Sequence, residues 1–232
     1  MATDPTYSLD FYNTIRSGVQ SSADVIVPML VDGFHPRYIV DVGCGEGWWA
    51  RRFADAGVPD YLGVDGEYAR RSQVLGDNFQ VVDLAQPVPF GTIKGSDGIS
   101  FDMVVCLEVA EHLPPERASR FIAELCSLAP VVVFSAAIPG QGGAGHLNEQ
   151  PQSYWARLFA VNDRRPLDTI RPKVWHDDRV EPWYAQNLLV YVPEDRGPGF
   201  HERAFQLDIV HPTIFGWALA AHMANSWRGD AP

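Results

Sequence analysis

The chain has 232 residues, of which 46% are hydrophobic and 20% charged, and its formal net charge is −11 at pH 7. This length and composition are typical of one large α/β domain with a sizeable core. A net negative charge repels phosphate backbones and anionic lipid surfaces, and no basic patch offsets it, so nucleic-acid and membrane partners are not expected.

Hydrophobic spacing predicts helices first and then a regular alternation of strands and helices. Apolar positions recur at helical spacing over residues 9–31, and Gly18 with the polar run 20–22 predicts two helices with a bend between them. Apolar, β-branched strands are then predicted at 37–42, 61–65 and 79–83, with helices at 48–57 and 67–75 and a Pro/Gly-rich connection at 86–98.

The alternation continues in the second half of the chain. Strands are predicted at 101–107 and 131–135, helices at 116–129 and 152–160, and a glycine-rich loop at 140–145. Two further strands near 169–175 and 187–193 bring the total to seven, followed by an exposed loop at 194–199 and a last helix at 214–225. Such alternation predicts an α/β fold with a doubly wound, mostly parallel sheet. Because no internal repeat or linker stands out, residues 1–232 are expected to form a single domain.

The cysteines and the apolar segments indicate where the protein acts. Cys44, Cys106 and Cys126 have no metal-ligand spacing and are expected to be small buried side chains. The first thirty residues lack the basic start and apolar run of a signal peptide, and the longest apolar stretch, 129–139, is too short to cross a bilayer. A cytoplasmic monomer or homodimer is therefore expected.

The segment from Asp41 to Gly47 lies where the first predicted strand ends and a helix begins. Its glycines let the backbone turn sharply and approach a ligand closely, which predicts a binding site. Trp48 stands where the dinucleotide-binding fingerprint has its third glycine, so a nicotinamide or flavin enzyme is the weaker interpretation. Glycines that only form a tight turn are the structural alternative.

Val40-Asp-Val-Gly-Cys-Gly-Glu-Gly47 resembles the first motif of class I S-adenosylmethionine-dependent methyltransferases, an acid followed by Gly-x-Gly-x-Gly after the first strand. The resemblance implies that S-adenosylmethionine is the cofactor and that the sheet has seven strands in the order 3-2-1-4-5-7-6. It also implies cofactor contacts from the motif residues Asp41, Gly43, Cys44, Gly45 and Gly47.

Further matches to this family follow along residues 38–138. Gly63-Val-Asp-Gly66 supplies the acid that binds the ribose hydroxyls in the family, here Asp65, with Gly66 beside it. Val81-Val-Asp-Leu84 places Asp83 and Leu84 where the family meets the adenine. Taken singly, either acid is also compatible with a solvated strand end. The sequence Leu107-Glu-Val-Ala-Glu-His-Leu113 resembles the Glu-His-containing loop beneath the cofactor, which adds Leu107 to the expected contacts.

The resemblance divides the chain into three functional parts. Residues 1–36 are expected to form a helical lid in which Arg16 pairs with the methionine carboxylate of the cofactor. Residues 37–138 form the cofactor-binding half, and residues 139–232 form the acceptor side and a C-terminal tail.

The acceptor half resembles a bacterial group of such methyltransferases with unidentified substrates. The shared segments are Pro139-Gly-Gln-Gly-Gly-Ala-Gly-His-Leu-Asn-Glu-Gln150, Ser153-Tyr-Trp155 and Trp183-Tyr-Ala-Gln-Asn187. Aromatic residues of this half either line an acceptor pocket or form core; they are Tyr154, Trp155, Trp175, Trp183 and Tyr184.

Methyl transfer to a hydroxyl or amine requires a group that takes a proton, and histidine is suited to this near neutral pH. His146 is the first candidate for the general base, with Glu149 to orient it, and His112 is the second. The alternative is that His146, Asn148 and Glu149 only cap the next helix and tie the loop down. No metal is expected, because no second histidine or carboxylate stands at a ligand-like interval from His146 and Glu149.

The sequence therefore predicts an enzyme that methylates a small-molecule acceptor on oxygen or nitrogen. A protein or peptide methyltransferase and a non-catalytic cofactor-binding scaffold are the competing functions. Intact acids and glycines in the first motif argue against the scaffold.

Overall fold

The computed structural model describes residues 9–87, 93, 101–195 and 205–226, with side chains from residue 12 to residue 224 of these ranges. The strands are β1 (Tyr38–Val42), β2 (Asp60–Asp65), β3 (Phe79–Val81), β4 (Met103–Leu107), β5 (Val131–Ser135), β6 (Arg164–Leu167) and β7 (Leu189–Pro193). The helices are α1 (Leu9–Phe34), α2 (Trp48–Asp55), α3 (Ala118–Leu128), α4 (Gln152–Ala160), α5 (Arg171–Val174), α6 (Pro182–Asn187) and α7 (Pro212–Ser226).

The seven strands form one sheet in the order β3-β2-β1-β4-β5-β7-β6, which confirms the predicted fold class and strand order. Strands β1 to β5 are parallel, whereas β7 runs antiparallel to both β5 and β6. All residues of β1, β4 and β5 are buried, as expected for strands covered on both faces. The carboxyl ends of β1, β2 and β4 therefore meet at one edge of the sheet.

Helices cover both faces of the sheet and create two cores. On one face Phe121 of α3 and Trp155 of α4 pack against Val104 and Phe134. On the other face Ile26 of α1 and Phe53 of α2 belong to a second core, which also contains Tyr184 and Ala185 of α6. This arrangement confirms the doubly wound architecture.

The prediction of two helices over residues 9–31 is wrong, because α1 is a single helix that runs through Gly18. The hydroxyl of Ser22 donates to the Gly18 carbonyl at 2.7 Å and accepts from the Glu181 amide at 2.9 Å, so the polar residues serve the helix and its packing. A Cβ atom at residue 18 would overlap the side chain of Glu181. The glycine is therefore a packing position and not a break.

The helix predicted at 67–75 is only a short 3-10 turn, Glu67–Ser72. After it, the amide of Val74 donates to the carbonyl of Glu46 at 3.0 Å, and the Gln73 side chain donates to the carbonyl of Gly45. These bonds to the glycine loop take the place of further helical hydrogen bonds.

The sixth strand was predicted near 169–175, but β6 is formed by Arg164–Leu167 and residues 171–174 form α5. Pro172 in the first turn of α5 favours a helix there. Conversely, Pro166 is compatible with β6 because this strand lies at the edge of the sheet.

Several other predictions have simple outcomes. All three cysteines are buried and unpaired. The last helix is α7, and Trp217 on it packs against Trp183 of α6 at 6.3 Å between ring centroids. The loops predicted at 86–98 and 194–199 lie mostly outside the described residues. No helix in the described ranges is both long and apolar enough to cross a membrane.

Candidate functional site

A cavity of about 1150 Å³ opens at the carboxyl ends of β1, β2 and β4. Its walls come from the glycine loop after β1, the segments after β2, β3 and β4, and the glycine-rich loop after β5. Four tryptophans, Trp48, Trp49, Trp183 and Trp217, lie around it. Of the site residues predicted from the sequence, Gly47 and Glu149 do not line the cavity; those that do are Arg16, Asp41, Gly43, Cys44, Gly45, Asp65, Gly66, Asp83, Leu84, Leu107, His112 and His146.

The glycine loop has the backbone geometry of a close-approach site. Gly43 has a φ of 78°, and a Cβ atom there would lie 2.4 Å from Cγ2 of Val109. Its amide donates to the carbonyl of Val64 in β2 at 2.8 Å, which ties the loop to the neighbouring strand. Gly47, with a φ of 90°, immediately precedes α2 and shapes the loop from outside the cavity.

Asp65 connects the loops that follow β1 and β2. Its Oδ2 accepts from the Gly45 amide at 2.7 Å, and its Oδ1 accepts from the Gly66 amide at 2.6 Å and from the hydroxyl of Tyr68. Burial raises the pKa of this carboxyl, although these three hydrogen bonds lower it in part. The carboxylate thus lies at the cavity wall with its orientation fixed.

Asp41 lies at the carboxyl end of β1 and is only 3% exposed. It accepts a hydrogen bond from the Ala50 amide of α2 at 3.3 Å. Burial raises the pKa of Asp41 to about 7, the Ala50 amide opposes this rise, and the charge of Asp65 adds to it. Asp83, in contrast, is exposed and accepts from the amide of Ala85 at 3.0 Å.

Arg16 reaches the cavity from α1, as expected, but binds a protein carboxylate there. Its Nε and Nη2 atoms donate to the two oxygens of Glu46 at 2.8 and 2.6 Å. Trp48 donates to the same carboxylate at 2.9 Å. Burial raises the pKa of Glu46, but the bonds from Arg16 and Trp48 outweigh it and lower the pKa overall. Glu46 occupies an x position of the Gly-x-Gly-x-Gly pattern, so the pattern does not mark it as a site residue.

In the glycine-rich loop after β5, His146 lines the cavity and forms a hydrogen-bonded pair with Glu149. Nδ1 of His146 lies 2.8 Å from Oε1 of Glu149, and this carboxylate also accepts from the amides of Gly140 and Gly142. Burial raises the pKa of Glu149, but these three bonds lower it overall. Glu149 holds the loop together, as the structural alternative predicted. The capping part of that alternative is wrong, because no side chain caps the start of α4.

His112 lies beside His146, with 4.8 Å between the ring centroids. Its Nδ1 is 3.3 Å from the carbonyl oxygen of Gly145. Burial and the neighbouring charge of His146 lower the pKa of His112 to about 4, against the effect of the Gly145 carbonyl. His112 is therefore neutral at physiological pH.

Glu111 is fully buried at the base of this wall, and neither of its carboxylate oxygens has a hydrogen-bond partner. Burial and the nearby Glu108 raise the pKa of Glu111; the backbone amides of Glu111 and Ala137 lie near enough to lower it in part, but neither forms a hydrogen bond of normal geometry with the carboxylate. The carbonyl of Glu111 accepts from the amides of Leu147 and Asn148 at 2.7 and 2.9 Å. The glycine-rich loop is thus anchored directly on Glu111.

Glu108 belongs to a polar network that the sequence did not reveal. Its two carboxylate oxygens accept from Nδ2 of Asn187 at 3.2 Å and from Nε2 of Gln141 at 2.9 Å. The backbone of Glu108 is left-handed, with a φ of 54°, a conformation concentrated at functional sites. Asn187 belongs to the Trp-Tyr-x-Gln-Asn segment, so the sequence shows this motif, but it does not show that Asn187 binds Glu108.

The aromatic residues of the second half divide between the two predicted roles. Trp183 and Tyr184 line the cavity, whereas Trp155 is 1% exposed in the core and Tyr154 packs against that core. Trp175 does not line the cavity. Its carbonyl oxygen lies 2.9 Å from Nε2 of His211.

Comparisons with known proteins agree with this geometry. Over 154 residues the chain is 31% identical to the ubiquinone biosynthesis O-methyltransferase of Alkalilimnicola ehrlichii, which covers 65% of this chain and 57% of that protein. Over 128 residues it is 38% identical to the magnesium-protoporphyrin O-methyltransferase of Synechocystis sp., covering 50% of this chain and 51% of that protein. The chain thus spans little more than half the length of these curated relatives.

Solved structures share the fold. The crystal structure of magnesium protoporphyrin IX methyltransferase from Synechocystis PCC 6803 with bound SAH superposes with a TM-score of 0.53 and 26% identity, covering 78% of this chain and 86% of that chain. Streptomyces venezuelae DesVI superposes with a TM-score of 0.57 at 15% identity, covering 83% and 99%, and shows the fold alone. A family described as a methyltransferase domain matches residues 20–160, which is well over half of the 232 residues. The chain therefore belongs to this methyltransferase-domain family.

Proposed function

We propose that this protein transfers a methyl group from S-adenosylmethionine to a hydroxyl or amine of a small-molecule acceptor. The observation that carries the proposal is one cavity with two chemically different walls. One wall holds the glycine loop with Asp41 and Asp65, and the other holds His146 in contact with Glu149. A site of about 1150 Å³ has room for a cofactor and a small acceptor together.

The residues of the first wall fit a cationic nucleoside. Gly43 and Gly45 have no side chains, so a ligand can approach the backbone of the turn closely. The carboxylate of Asp65 is held where it can accept hydrogen bonds from hydroxyl groups. Asp83 and Leu84 lie on the same wall for contact with a base. Acidic side chains outnumber arginines around the described cavity, which favours a positively charged ligand; the acids are Asp41, Glu46, Asp65, Glu67, Asp83, Glu108 and Glu111, against Arg16 and Arg71.

When bound, the cofactor supplies a methyl group on a positively charged sulfur. The work of the protein is then to hold the acceptor in line and to exclude water. Arg16, through its bidentate bond to Glu46, joins α1 to the glycine loop and so closes one side of the cavity. A contact between Arg16 and the cofactor carboxylate requires this guanidinium to bind both groups, or to leave Glu46.

His146 is placed to take the proton of the acceptor. Glu149 keeps the Nδ1 atom of the ring engaged, so the other nitrogen has the lone pair. His112, neutral beside it, holds the Gly145 carbonyl and presents its ring to the same space. We assign both histidines and Glu149 to the catalytic apparatus. We also propose that the protein is a cytoplasmic monomer or homodimer without nucleic-acid or membrane partners.

The relatives support oxygen as the acceptor atom, because the two curated relatives named above are O-methyltransferases. Titration calorimetry with S-adenosylmethionine, S-adenosylhomocysteine and NADH tests the cofactor assignment. We expect the first two to bind and NADH to give no heat. A panel of phenols, carboxylic acids, amines and intact proteins, assayed for methyl incorporation, tests the acceptor class. Absence of cofactor binding contradicts the proposal, and methylation of intact proteins alone contradicts a small-molecule acceptor.

A further inference from the structure

Three potential metal ligands converge at the acceptor wall of the cavity. One carboxylate oxygen of Glu111 and one ring nitrogen each of His112 and His146 all lie within 4.8 Å of one another. We propose that these three side chains bind a divalent cation that holds the acceptor oxygen. This inference deepens the proposed function and rests on it for the identity of the reaction, but not for metal binding itself.

Glu111 provides an observation that is independent of the convergence. Its side chain is 0% exposed, and both carboxylate oxygens are without a hydrogen-bond partner while the residue lines the cavity. A buried carboxylate without partners is costly, since buried charges in proteins are normally paired or bound to a metal. A cation at this position would bind the carboxylate oxygens of Glu111 and balance their charge.

The contacts around the two histidines match those of metal ligands. In metal sites, the ring nitrogen that does not bind the ion is held by a carboxylate or a backbone carbonyl. Here Nδ1 of His146 meets the carboxylate of Glu149 at 2.8 Å, and Nδ1 of His112 meets the carbonyl of Gly145 at 3.3 Å. The amides of residues 147 and 148 bind the Glu111 carbonyl, which fixes the loop of one histidine to the segment of the other ligands.

The donor set indicates the kind of cation. Two imidazoles and one carboxylate suit a first-row ion such as Zn²⁺ or Mn²⁺, and do not suit Ca²⁺, which prefers six to eight oxygen ligands. Three protein ligands leave at least one position open for a substrate atom. The carboxyl of Glu108 lies close enough for its charge to raise the pKa of Glu111, so a second acid stands on the same side.

The cation would act on the acceptor before methyl transfer. An acceptor hydroxyl that binds the open position becomes more acidic and releases its proton to solvent. A lone pair of this oxygen then forms the new O–C bond, while the C–S bond of the cofactor breaks and its electron pair stays on sulfur. A ring nitrogen that binds the ion cannot also take a proton, so in the metal-bound enzyme His146 is a ligand and not the general base.

Metal binding can be measured without an acceptor. The full chain is stripped with EDTA and titrated with ZnCl₂, MnCl₂ and CaCl₂, and bound metal is counted by mass spectrometry. We expect one Zn²⁺ or Mn²⁺ per chain and no Ca²⁺. Glu111→Gln and His112→Ala should remove the bound ion, Glu149→Gln should weaken binding by ~10–100-fold as a supporting residue, and His176→Ala, at an exposed histidine, should bind metal normally.

Two further measurements separate this inference from the proposed function. Calorimetry with S-adenosylhomocysteine should give the same affinity for the EDTA-stripped protein and for Glu111→Gln, because the first wall is intact in both. Thermal unfolding of metal-free Glu111→Gln should match that of the metal-free parent. A stripped protein that binds cofactor and methylates at full rate, or Zn²⁺ binding that survives both Glu111→Gln and His112→Ala, overturns the metal site and leaves the methyltransferase proposal standing. Metal binding without cofactor binding supports the metal site and contradicts the methyltransferase proposal.

Discussion

Nδ1 of His146 lies 2.8 Å from Oε1 of Glu149, and this carboxylate also accepts from two backbone amides of its own loop. One side chain therefore sets both the tautomer of the imidazole and the shape of the loop that carries it. Whether the imidazole takes a proton or binds a cation, its Nε2 atom is the reactive one.

His146→Ala should lower turnover at least ~100-fold, which is the usual low end for the loss of a general base. The affinity for S-adenosylhomocysteine should stay within a few fold, because the glycine loop lies on the other wall. Single-turnover kinetics and calorimetry on the same preparation measure both quantities. His176→Ala, which changes an exposed histidine, serves as the control. Unchanged turnover in His146→Ala would remove this residue from the mechanism.

Asp65→Ala should weaken cofactor binding by ~10–100-fold, since hydrogen bonds to a charged group contribute about 1.5–3 kcal/mol. The substitution also releases the amides of Gly45 and Gly66 that the carboxylate holds. Asp60→Ala is the matched control, because Asp60 is exposed at the other end of the same strand. Equal affinity of both variants in calorimetry contradicts the role of Asp65.

The raised pKa of Asp41 predicts a pH-dependent stability. Its folded value of about 7 lies above the ordinary value of 3.8, so the folded chain keeps a proton that the unfolded chain has released. The contribution of Asp41 to stability is therefore complete below about pH 4 and is lost as the pH rises through about 7. The Asp41→Asn variant has no ionisable group at this position, so it does not lose stability in this way.

Urea unfolding of both proteins without cofactor, at about pH 5 and about pH 8, measures the effect. The free energy of unfolding of Asp41→Asn, relative to the parent, should rise between the two pH values. Contributions from Asp65 are present in both proteins and cancel in this comparison. A difference that stays constant with pH would mean that Asp41 ionises at its ordinary value.

Gly143→Ala should lower turnover, because a Cβ atom at this residue would lie 2.3 Å from Nε2 of His146 and displace the ring. Gly142→Ala is the control in the same loop: its φ of 73° strains an alanine, but a Cβ atom there contacts nothing within 4 Å. Both variants should bind cofactor normally, and steady-state assays should show the larger loss for Gly143→Ala. Equal losses would indicate that loop strain alone matters.

The sequence predicted the sheet well, and most residues of its glycine motif do line one cavity, because both follow local patterns. Strand β5 and helix α4 have the predicted bounds, and the glycine spacing with Asp65 identified the wall that the structure assembles. Errors arose where tertiary contacts override local preference. The turn after β2 leaves its helix to bind the glycine loop, and β6 contains a proline that only an edge position tolerates.

The acceptor wall could be predicted only in part. His146 and Glu149 are close in sequence, so their contact was expected. Glu111 and His112 come from the segment after β4 and are brought to His146 by contacts between distant segments, which are the backbone bonds to the Glu111 carbonyl and the contact of His112 with the Gly145 carbonyl. No spacing rule shows such a meeting, which explains why a metal site was not expected. The bidentate pair of Arg16 and Glu46 joins distant segments in the same way.

The tryptophans around the cavity have a practical consequence. Four tryptophans of the described residues line this space, and the rings of Trp183 and Trp217 pack against one another at its side. Their indole emission depends on the polarity next to the ring, so a molecule that enters changes the intrinsic fluorescence. Candidate acceptors can therefore be ranked by a label-free optical titration before any product has been identified.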